Sequence, residues 1–204
     1  KMAIDHFGKR YAFQKGHTDW NFNIMFDGQP QVAKMAAAYA GAIDHPGLYP
    51  PIPAERLHMT VLRVGFTTEY TDAEMAAVTG LLRPKLAGME MPELVLGPWW
   101  IWGGPVLHVT PEGPLIKVFD AILKSIEEIV GKKRTPKPQR FIPHVTLAYC
   151  KDYDDEIGLH ASLSKTDVEP ARFRADKLSM IKQWPSLPVY KWDVVEDIPI
   201  GQAR

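Results

Sequence analysis

The strongest constraint on the fold of this chain is an internal duplication. Residues 58–61 read His-Met-Thr-Val and residues 144–147 read His-Val-Thr-Leu, so the form His-apolar-Thr-aliphatic occurs twice, 86 positions apart. A shift of 86 residues also places the helical pattern that follows Pro30 on the one that follows Pro114. Self-similarity at a fixed offset indicates a structural unit that is present twice. We therefore expect two similar halves that fold as one compact unit.

Apolar spacing predicts four helices, and strand-like runs lie between them. The clearest helix covers about 115–130, a second begins at a capping box in residues 71–74, a third follows Pro30 and a fourth covers about 154–163. Strands are predicted at 22–26, 57–64, 93–96, 106–110, 145–149, 177–182 and 189–195. The order β-α-β-α-β therefore occurs twice, with one extra strand at the end. This pattern predicts an α+β fold built as a bilobal, pseudo-twofold duplication.

The predicted domain boundaries follow from the same repeat. Residues 1–19 are expected to form an N-terminal extension, and residues 20–204 a single bilobal domain with lobes of about 20–97 and 104–204. The stretch 97–105 is rich in glycine, proline and tryptophan, which favours a turn-rich bridge between the lobes.

Composition argues against several classes of function. The chain carries 24 basic and 24 acidic side chains, so its formal net charge is zero and no global field attracts it to DNA, long RNA or anionic lipid. The single cysteine, Cys150, cannot form an intrachain disulfide and is expected to be a small buried residue. No apolar run reaches the roughly 18 residues of a membrane span. The expected location is the cytoplasm.

The two repeated motifs present groups that suit phosphate chemistry. Residues i and i+2 of a strand project from the same face, so His58 lies beside Thr60, and His144 beside Thr146. The duplication would bring two imidazoles and two hydroxyls around one small cavity. An imidazole with a pKa near 6.5 can act as acid or base at neutral pH, and hydroxyls can donate hydrogen bonds to phosphate oxygens. These groups fit cleavage of a phosphodiester without a metal.

Both motifs resemble those of a known family. Residues 57–62 (Leu-His-Met-Thr-Val-Leu) and 141–148 (Phe-Ile-Pro-His-Val-Thr-Leu-Ala) are similar to the two motifs of the two-histidine phosphoesterase superfamily, which includes 2′-5′ RNA ligase-like proteins and cyclic nucleotide phosphodiesterases. The resemblance covers nearly the whole chain. It implies antiparallel sheets around a central cleft, no metal and no other cofactor. It also implies that His58 and His144 form the acid–base pair and that Thr60 and Thr146 bind the phosphate, with the acid and the base left unassigned.

The expected function is that of a metal-independent phosphoesterase acting on a 2′,3′-cyclic phosphate or a 2′-5′ phosphodiester of a nucleotide or RNA end. The expected partner is a nucleotide or an RNA terminus as substrate, and no membrane; the oligomeric state stays open, a monomer included. One alternative is a non-catalytic nucleotide- or RNA-binding module with the same cleft. A second is a zinc site made from His58, His108 and His144, against which stands the lack of His-x-x-x-His spacing or an adjacent carboxylate.

Two further segments are candidates for substrate contact. The third His-x-Thr copy, residues 108–110, is followed by Pro111, which favours Thr110 as the cap of the next helix and a structural role for His108, although His108 can still face the cleft. The basic run 131–140 is a candidate landing patch for a phosphate, with Arg140 the best placed of its members.

The remaining residues near the motifs are interpreted as structural. Strand parity turns Arg63 and Tyr149 away from the motif histidines unless the strands end or bulge early. The cluster Trp99, Trp100 and Trp102 is interpreted as core or interlobe packing in preference to a platform that stacks bases. The histidines outside the motifs are interpreted as surface residues, namely His6, His17, His45 and His160.

Overall fold

Two antiparallel sheets and four α-helices make up the described part of the chain, which in this computed structural model comprises residues 3, 5–8, 16–137 and 140–201. The strands are β1 (Asp19–Met25), β2 (His58–Phe66), β3 (Leu94–Ile101), β4 (Pro105–Thr110), β5 (His144–Thr146), β6 (Ala171–Phe173), β7 (Lys177–Ser186) and β8 (Val189–Pro199). The helices are α1 (Pro30–Ala42), α2 (Asp72–Ala87), α3 (Glu112–Val130) and α4 (Ile157–Leu163). The α+β class and the antiparallel sheets are confirmed. The short strand β6 has no counterpart among the predicted strands.

The two sheets do not divide the chain where the duplication does. One sheet has the order β5-β4-β3-β6 and takes its strands from the continuous segment 94–173. The other has the order β2-β1-β7-β8 and combines residues 19–66 with residues 177–199. The predicted lobe bounds, about 20–97 and 104–204, therefore do not coincide with the sheets. Strand β3, from the first predicted lobe, joins the sheet of the second, and the β7–β8 hairpin, from the second predicted lobe, joins the sheet of the first.

The expected bridge at residues 97–105 is a β-hairpin within one sheet. Strand β3 continues to Ile101 and turns back directly into β4. A register shift between Leu96 and Trp99 accommodates the Gly-Pro pair that the sequence suggested as a break. The prediction of a bridge is wrong because the register shift allows β3 to continue past the Gly-Pro pair.

The capping box that begins α2 is confirmed. The Thr71 hydroxyl accepts from the backbone N–H of Glu74 at 3.2 Å, and the Glu74 carboxylate accepts from the backbone N–H of Thr71 at 2.9 Å. A cap of this kind contributes about 1 kcal/mol to helix stability. The predicted apolar stripe of the helix is buried, namely Met75, Val78, Leu82 and Leu86. No helix among the described residues is long and apolar enough to cross a membrane.

The cap predicted for α3 is wrong. The N-cap is Pro111, not Thr110, and it makes no side-chain capping bond. The helix begins at Glu112, whose carboxylate interacts with the side chain of His108. Helix α3 then packs against α2, where Lys85 donates to Ser125 at 3.0 Å.

Alternating burial fixes the motif strands in the molecule. Met59 and Val145 are fully buried, and Val61 and Leu147 are nearly so, whereas the histidine and threonine of each motif are half-buried. Burying each aliphatic side chain contributes roughly 1.5–3 kcal/mol. The buried face thus anchors each strand, and the polar face is left for the cleft, as the sequence predicts.

Cys150 is buried, as expected. Its thiol donates to the carbonyl oxygen of Asp152 at 2.8 Å, and burial raises the pKa of the thiol. The protonated form therefore predominates at neutral pH, and this cysteine is not an activated nucleophile.

Candidate active site

Both His-x-Thr motifs border one cavity of about 200 Å³. Strands β2 and β5 lie next to each other, and the cavity between them is lined by His58, Thr60, His144 and Thr146. The other lining residues come from strands β1, β2, β7 and β8, from the N-terminal segment and from the loop after β5, namely His6, Asp19, Asn21, Arg63, Tyr149, Gln183 and Tyr190. The four side chains singled out in the sequence thus surround the same space.

The same backbone contact orients each motif histidine. Nδ1 of His58 lies 2.9 Å from the carbonyl oxygen of Arg56, and Nδ1 of His144 lies 2.7 Å from the carbonyl oxygen of Ile142. A carbonyl oxygen only accepts hydrogen bonds, so Nδ1 carries the proton in both neutral rings. Nε2 is then the ring nitrogen available to the cavity. The carbonyl two residues upstream of each histidine therefore sets both its orientation and its tautomer.

The cavity lowers the pKa of both imidazoles below the usual 6.5. Burial is the larger cause in each ring because it disfavours the charged form. A neighbouring imidazole adds to it: His144 lowers the pKa of His58, and His108 lowers the pKa of His144. The backbone carbonyls act in the opposite direction but do not outweigh burial. Both rings are therefore predominantly neutral at pH 7 when no anion is bound between them.

A pair of exposed tryptophans lies beside the second motif. The ring of Trp102 packs against His144 with centroids 4.9 Å apart, and Trp100 stacks on Trp102 at 6.1 Å. Trp100 is 44% exposed and Trp102 is 41% exposed. Trp99, in contrast, packs against the hydrophobic core. The interpretation as packing holds for Trp99 but is wrong for Trp100 and Trp102, which leave ring surface open to solvent next to the cavity.

The first motif has a tryptophan neighbour that the sequence did not suggest. The ring of Trp192, in β8, lies edge-on to His58 with centroids 5.1 Å apart. The guanidinium of Arg56 lies over this indole, 4.9 Å from its centroid. Trp192 belongs to the second half of the chain, so no local pattern around residue 58 could have indicated it.

Arg63 reaches the cavity because β2 bulges. Pairing with β1 includes Thr60 and Leu62 but skips Val61, so the faces of the strand change places after the motif. Val61 and Leu62 are consecutive buried residues, and Arg63 then faces the cleft. The prediction that Arg63 points away is wrong for this reason. Its guanidinium makes a bidentate ion pair with Asp19, at 2.9 and 3.0 Å.

Tyr149 and His6 also line the cavity, against prediction. Strand β5 ends at Thr146, so strand parity no longer governs Tyr149. The ring of His6 stacks on Tyr149 with centroids 4.2 Å apart, and its Nε2 lies 3.2 Å from the Tyr190 hydroxyl. His6 is therefore not a surface residue. The other three histidines interpreted as surface residues are exposed, namely His17, His45 and His160.

His108 lies beside the site but is engaged elsewhere. It is the register partner of His144 across β4 and β5, yet its Nε2 lies 2.8 Å from the carboxylate of Glu112. It does not line the cavity. Within the described ranges, no group of three or more His, Cys, Asp or Glu side chains is arranged to hold a metal ion. The three histidines of the zinc alternative do not form such a group.

Much of the basic run 131–140 is a structural loop. Arg134 donates to the Glu74 carboxylate at 2.6 Å and so ties the loop to the start of α2. The hydrogen bond from Arg134 is the main cause that lowers the pKa of Glu74 to about 2. Arg140 is exposed and does not line the cavity. Residues 138 and 139 of the predicted landing patch lie outside the described residues.

Solved structures of similar fold support this picture. TT0787 of Thermus thermophilus has a TM-score of 0.68 at 16% identity, over 89% of this chain and 97% of that one. LigT of E. coli in its apo form has a TM-score of 0.65 at 14% identity, over 91% and 99%. The E. coli LigT complex with 3′-AMP gives 0.65 at 13% identity, over 90% and 98%. At these identities the likeness shows the fold alone.

The family is shown by the sequence itself. No curated protein matches the chain significantly. The model of the 2′-5′ RNA ligase superfamily, however, matches residues 30–184, which make up most of the chain and include both His-x-Thr motifs. With the motifs facing one cavity in the fold of LigT and TT0787, the resemblance to the two-histidine phosphoesterases is confirmed, and the chain belongs to the 2′-5′ RNA ligase superfamily.

Proposed function

We propose that this protein is a metal-independent phosphoesterase that cleaves a 2′,3′-cyclic phosphate or a 2′-5′ phosphodiester at the end of a nucleotide or RNA. His58 and His144 act as the general acid–base pair, and Thr60 and Thr146 bind the non-bridging oxygens of the phosphate. Members of the superfamily are phosphoesterases and ligase-like proteins. The choice of substrate and the roles of the two histidines and two threonines are our proposal.

The observation that carries the proposal is the matched pair of Nε2 atoms on one cavity. Each is presented by an imidazole whose Nδ1 proton is held by a backbone carbonyl, at 2.9 Å for His58 and 2.7 Å for His144. Preorganised groups of this kind need no rearrangement when the reaction begins. Two neutral imidazoles that share one added proton supply one acid and one base, which is what cleavage of a phosphodiester needs.

Hydrolysis of a cyclic phosphate proceeds as one proton cycle. The neutral imidazole removes a proton from water through Nε2 while the water oxygen forms a bond to phosphorus. The protonated imidazole gives its Nε2 proton to the ribose oxygen as the bond between that oxygen and phosphorus breaks. The product is a ribose monophosphate with one free hydroxyl, and the two imidazoles have exchanged protonation states. Proton exchange with solvent restores the starting state.

The threonines and the protonated imidazole stabilise charge on the phosphate. Thr60 and Thr146 project beside the histidines on the cleft faces of β2 and β5, where their hydroxyls can donate to the equatorial oxygens. Removing one such donor from a preorganised site costs about 10²–10³ in kcat. Bound phosphate also offsets the burial that lowers the histidine pKa values, because its negative charge favours the protonated ring.

The proposed substrate class agrees with the ligands of a similar protein. E. coli LigT has been crystallised with 3′-AMP, NADP+, ATP and phosphate. A neutral net charge also favours a small nucleotide or an RNA terminus over a long polyanion. We also propose Arg140 and His108 as secondary contacts of a longer substrate, since Arg140 precedes the second motif in the sequence and His108 pairs with His144 in the sheet.

The test is turnover of 2′,3′-cyclic AMP and of a 2′-5′ diadenosine in the presence of EDTA. The purified protein is compared with His58→Ala and His144→Ala variants, and with His45→Ala as a matched control on the exposed surface. We expect product with the parent protein and with His45→Ala, and a loss of about 10²–10⁴ in rate for each motif variant.

Each alternative has its own signature in this experiment. Activity that EDTA abolishes and zinc restores would establish a metal site in place of the two-histidine mechanism. Tight binding of nucleotide without product would establish the non-catalytic module. Turnover that survives both motif substitutions would locate the reaction elsewhere.

A further inference from the structure

The cavity extends past the two motifs into a polar end formed by three adjacent strands. Arg63 on β2 lies opposite Asn21 on β1, and Asp19 on β1 lies opposite Gln183 on β7. All four line the same cavity as the motif residues. Asn23, the register partner of Thr60, is four residues from Asp19 along β1, which corresponds to about 13 Å of strand. We call the set Asp19, Asn21, Arg63 and Gln183 the polar end.

The Arg63–Asp19 ion pair gives the polar end a fixed hydrogen-bond donor. Asp19 is 6% exposed and accepts from Nε and Nη2 of the guanidinium. A bidentate pair holds the planar group in one orientation. Nη1 makes no hydrogen bond to any described residue. It belongs to a side chain that lines the cavity, and its direction is set by the pair, while the net charge of the pair is zero.

Gln183 supplies an acceptor that is not satisfied. The residue is 8% exposed, and its Oε1 is buried without a hydrogen-bond partner among the described residues. An orphaned buried acceptor costs about 1–3 kcal/mol and calls for an explanation. Gln183 is the cavity-lining side chain that carries such an atom. Because the side chain lines the cavity, rotation of its terminal amide torsion would present this oxygen to a ligand that donates a hydrogen bond.

We propose that the polar end recognises the hydrogen-bonding edge of the nucleobase of the substrate. The inference rests on the proposed function, in which the phosphate lies between the histidines. The ribose is bonded to that phosphate and lies next to the threonines, so the base is the group that extends farther along the cleft. A base edge presents N–H donors beside oxygen or nitrogen acceptors, which matches an acceptor on Gln183 and a donor on Arg63 that line the same cavity. Amide and guanidinium groups are the side chains that distinguish bases by this pattern.

Base preference is the consequence. A fixed donor and a fixed acceptor fit some arrangements of N–H and carbonyl groups and not others, so the four bases are bound unequally. The exposed Trp102, on the side of His144, offers only a ring face. Stacking on an aromatic face is tolerant of base identity, so this residue does not set a preference.

The experiment compares four 2′,3′-cyclic nucleotides, those of A, G, C and U, with bis(p-nitrophenyl) phosphate, which has no base. The variant is Gln183→Met, which keeps the length of the side chain and removes the amide. Gln31→Leu on the exposed face of α1 is the matched control, and Trp102→Leu tests the other side of the cleft. Thermal melting of each variant verifies the fold, and Gln183→Met is expected to remain folded because the amide oxygen it removes has no partner.

We expect the parent protein to have unequal kcat/KM values for the four nucleotides. Gln183→Met should raise KM for the preferred nucleotide by roughly tenfold and level the four values, with a smaller effect on kcat. For Gln183→Met, the fall in kcat/KM on the preferred nucleotide should exceed the fall on bis(p-nitrophenyl) phosphate by about the same factor. Trp102→Leu should weaken all four nucleotides alike.

The outcomes separate this inference from the proposed function. If the parent protein cleaves all four nucleotides with equal kcat/KM, or if Gln183→Met keeps the original preference, the polar end does not read the base although the phosphoesterase stands. A preference that follows Trp102 would also overturn it. If the parent protein cleaves the diester without a base but no cyclic nucleotide, the substrate class itself is wrong.

Discussion

The two His-x-Thr motifs are alike at the histidine and the threonine and different around them. In both, an imidazole is held through Nδ1 by the carbonyl two residues upstream, and a threonine projects beside it. Strand β2 runs for nine residues and bulges, whereas β5 runs for only three. Trp192 flanks the first histidine and is partly buried, while the exposed Trp102 flanks the second.

This difference shows how a cleft built from two similar halves can bind a substrate in one orientation only. A fully symmetric cleft would bind a phosphodiester equally well in two opposite orientations, and neither imidazole would be committed to one role. Here the bulge brings Arg63 into the cavity on one side only, and His108 lies next to the second motif only. Under the proposed function, this asymmetry would orient the substrate and commit one histidine to the acid role and the other to the base role. Substitutions in the two motifs and a change of pH can test that asymmetry.

The largest expected effect is that of replacing one motif histidine, which removes either the acid or the base. His58→Ala and His144→Ala should each reduce kcat/KM on 2′,3′-cyclic AMP by about 10²–10⁴. A p-nitrophenolate leaving group needs no proton, so on bis(p-nitrophenyl) phosphate only the variant that lacks the acid should recover most of its rate. Steady-state kinetics of both variants on both substrates measures this. Equal recovery by the two variants would mean that the histidines do not divide the roles.

The threonines should show an intermediate effect. Thr60→Val and Thr146→Val keep the shape of the side chain and remove the hydroxyl, and each should lower kcat by about 10² because a hydrogen bond to the phosphate is lost in the transition state. The Thr→Ser variants keep the hydroxyl and should retain most of the activity. Losses smaller than about threefold in both valine variants would show that the hydroxyls do not contact the reacting phosphate. Unequal losses would locate the phosphate nearer one motif.

The change expected for one unit of pH is the smallest of the three effects. Burial lowers the pKa of both histidines below 6.5, so the form with one shared proton is most abundant on the acidic side of that value. We expect kcat/KM to be maximal below pH 6.5 and to fall about tenfold per pH unit as the acid loses its proton. Since His108 lowers the pKa of His144, His108→Gln should raise it and move the profile to higher pH if the ionisation of His144 controls the alkaline limb. A maximum above pH 7.5 in the parent protein would contradict the predicted direction.

What the sequence predicts well is local. Alternation within a strand placed Thr60 beside His58 and Thr146 beside His144, and the capping box placed the start of α2. These inferences span two to four residues, where backbone geometry leaves few choices. The duplication then supplied the one long-range fact, that the two strands belong together.

The sequence does not show where a strand bulges, or which residues far apart in the chain come into contact. Arg63 was misplaced because the skipped residue Val61 reverses the face of the residues that follow it, until a second shift after Arg63 reverses it again. His6 and Gln183 carry no motif and reach the cavity only through tertiary packing. The β7–β8 hairpin was recognised as strands, but nothing in its pattern indicates that it pairs with β1 instead of its sequence neighbours.

The arrangement of the sheets also sets an order for folding. Strands β3 to β6 form a sheet from one continuous segment, so that sheet can assemble as soon as residue 173 is available. The other sheet needs β1 to pair with β7, whose partners lie more than 150 residues apart, and such distant contacts form slowly. During synthesis, β1 therefore has no partner strand on its second edge until residues 177–199 have been made. The cavity between the histidines is lined by residues of β1, β2, β7 and β8 as well as β5, so its wall is complete only when both sheets have formed.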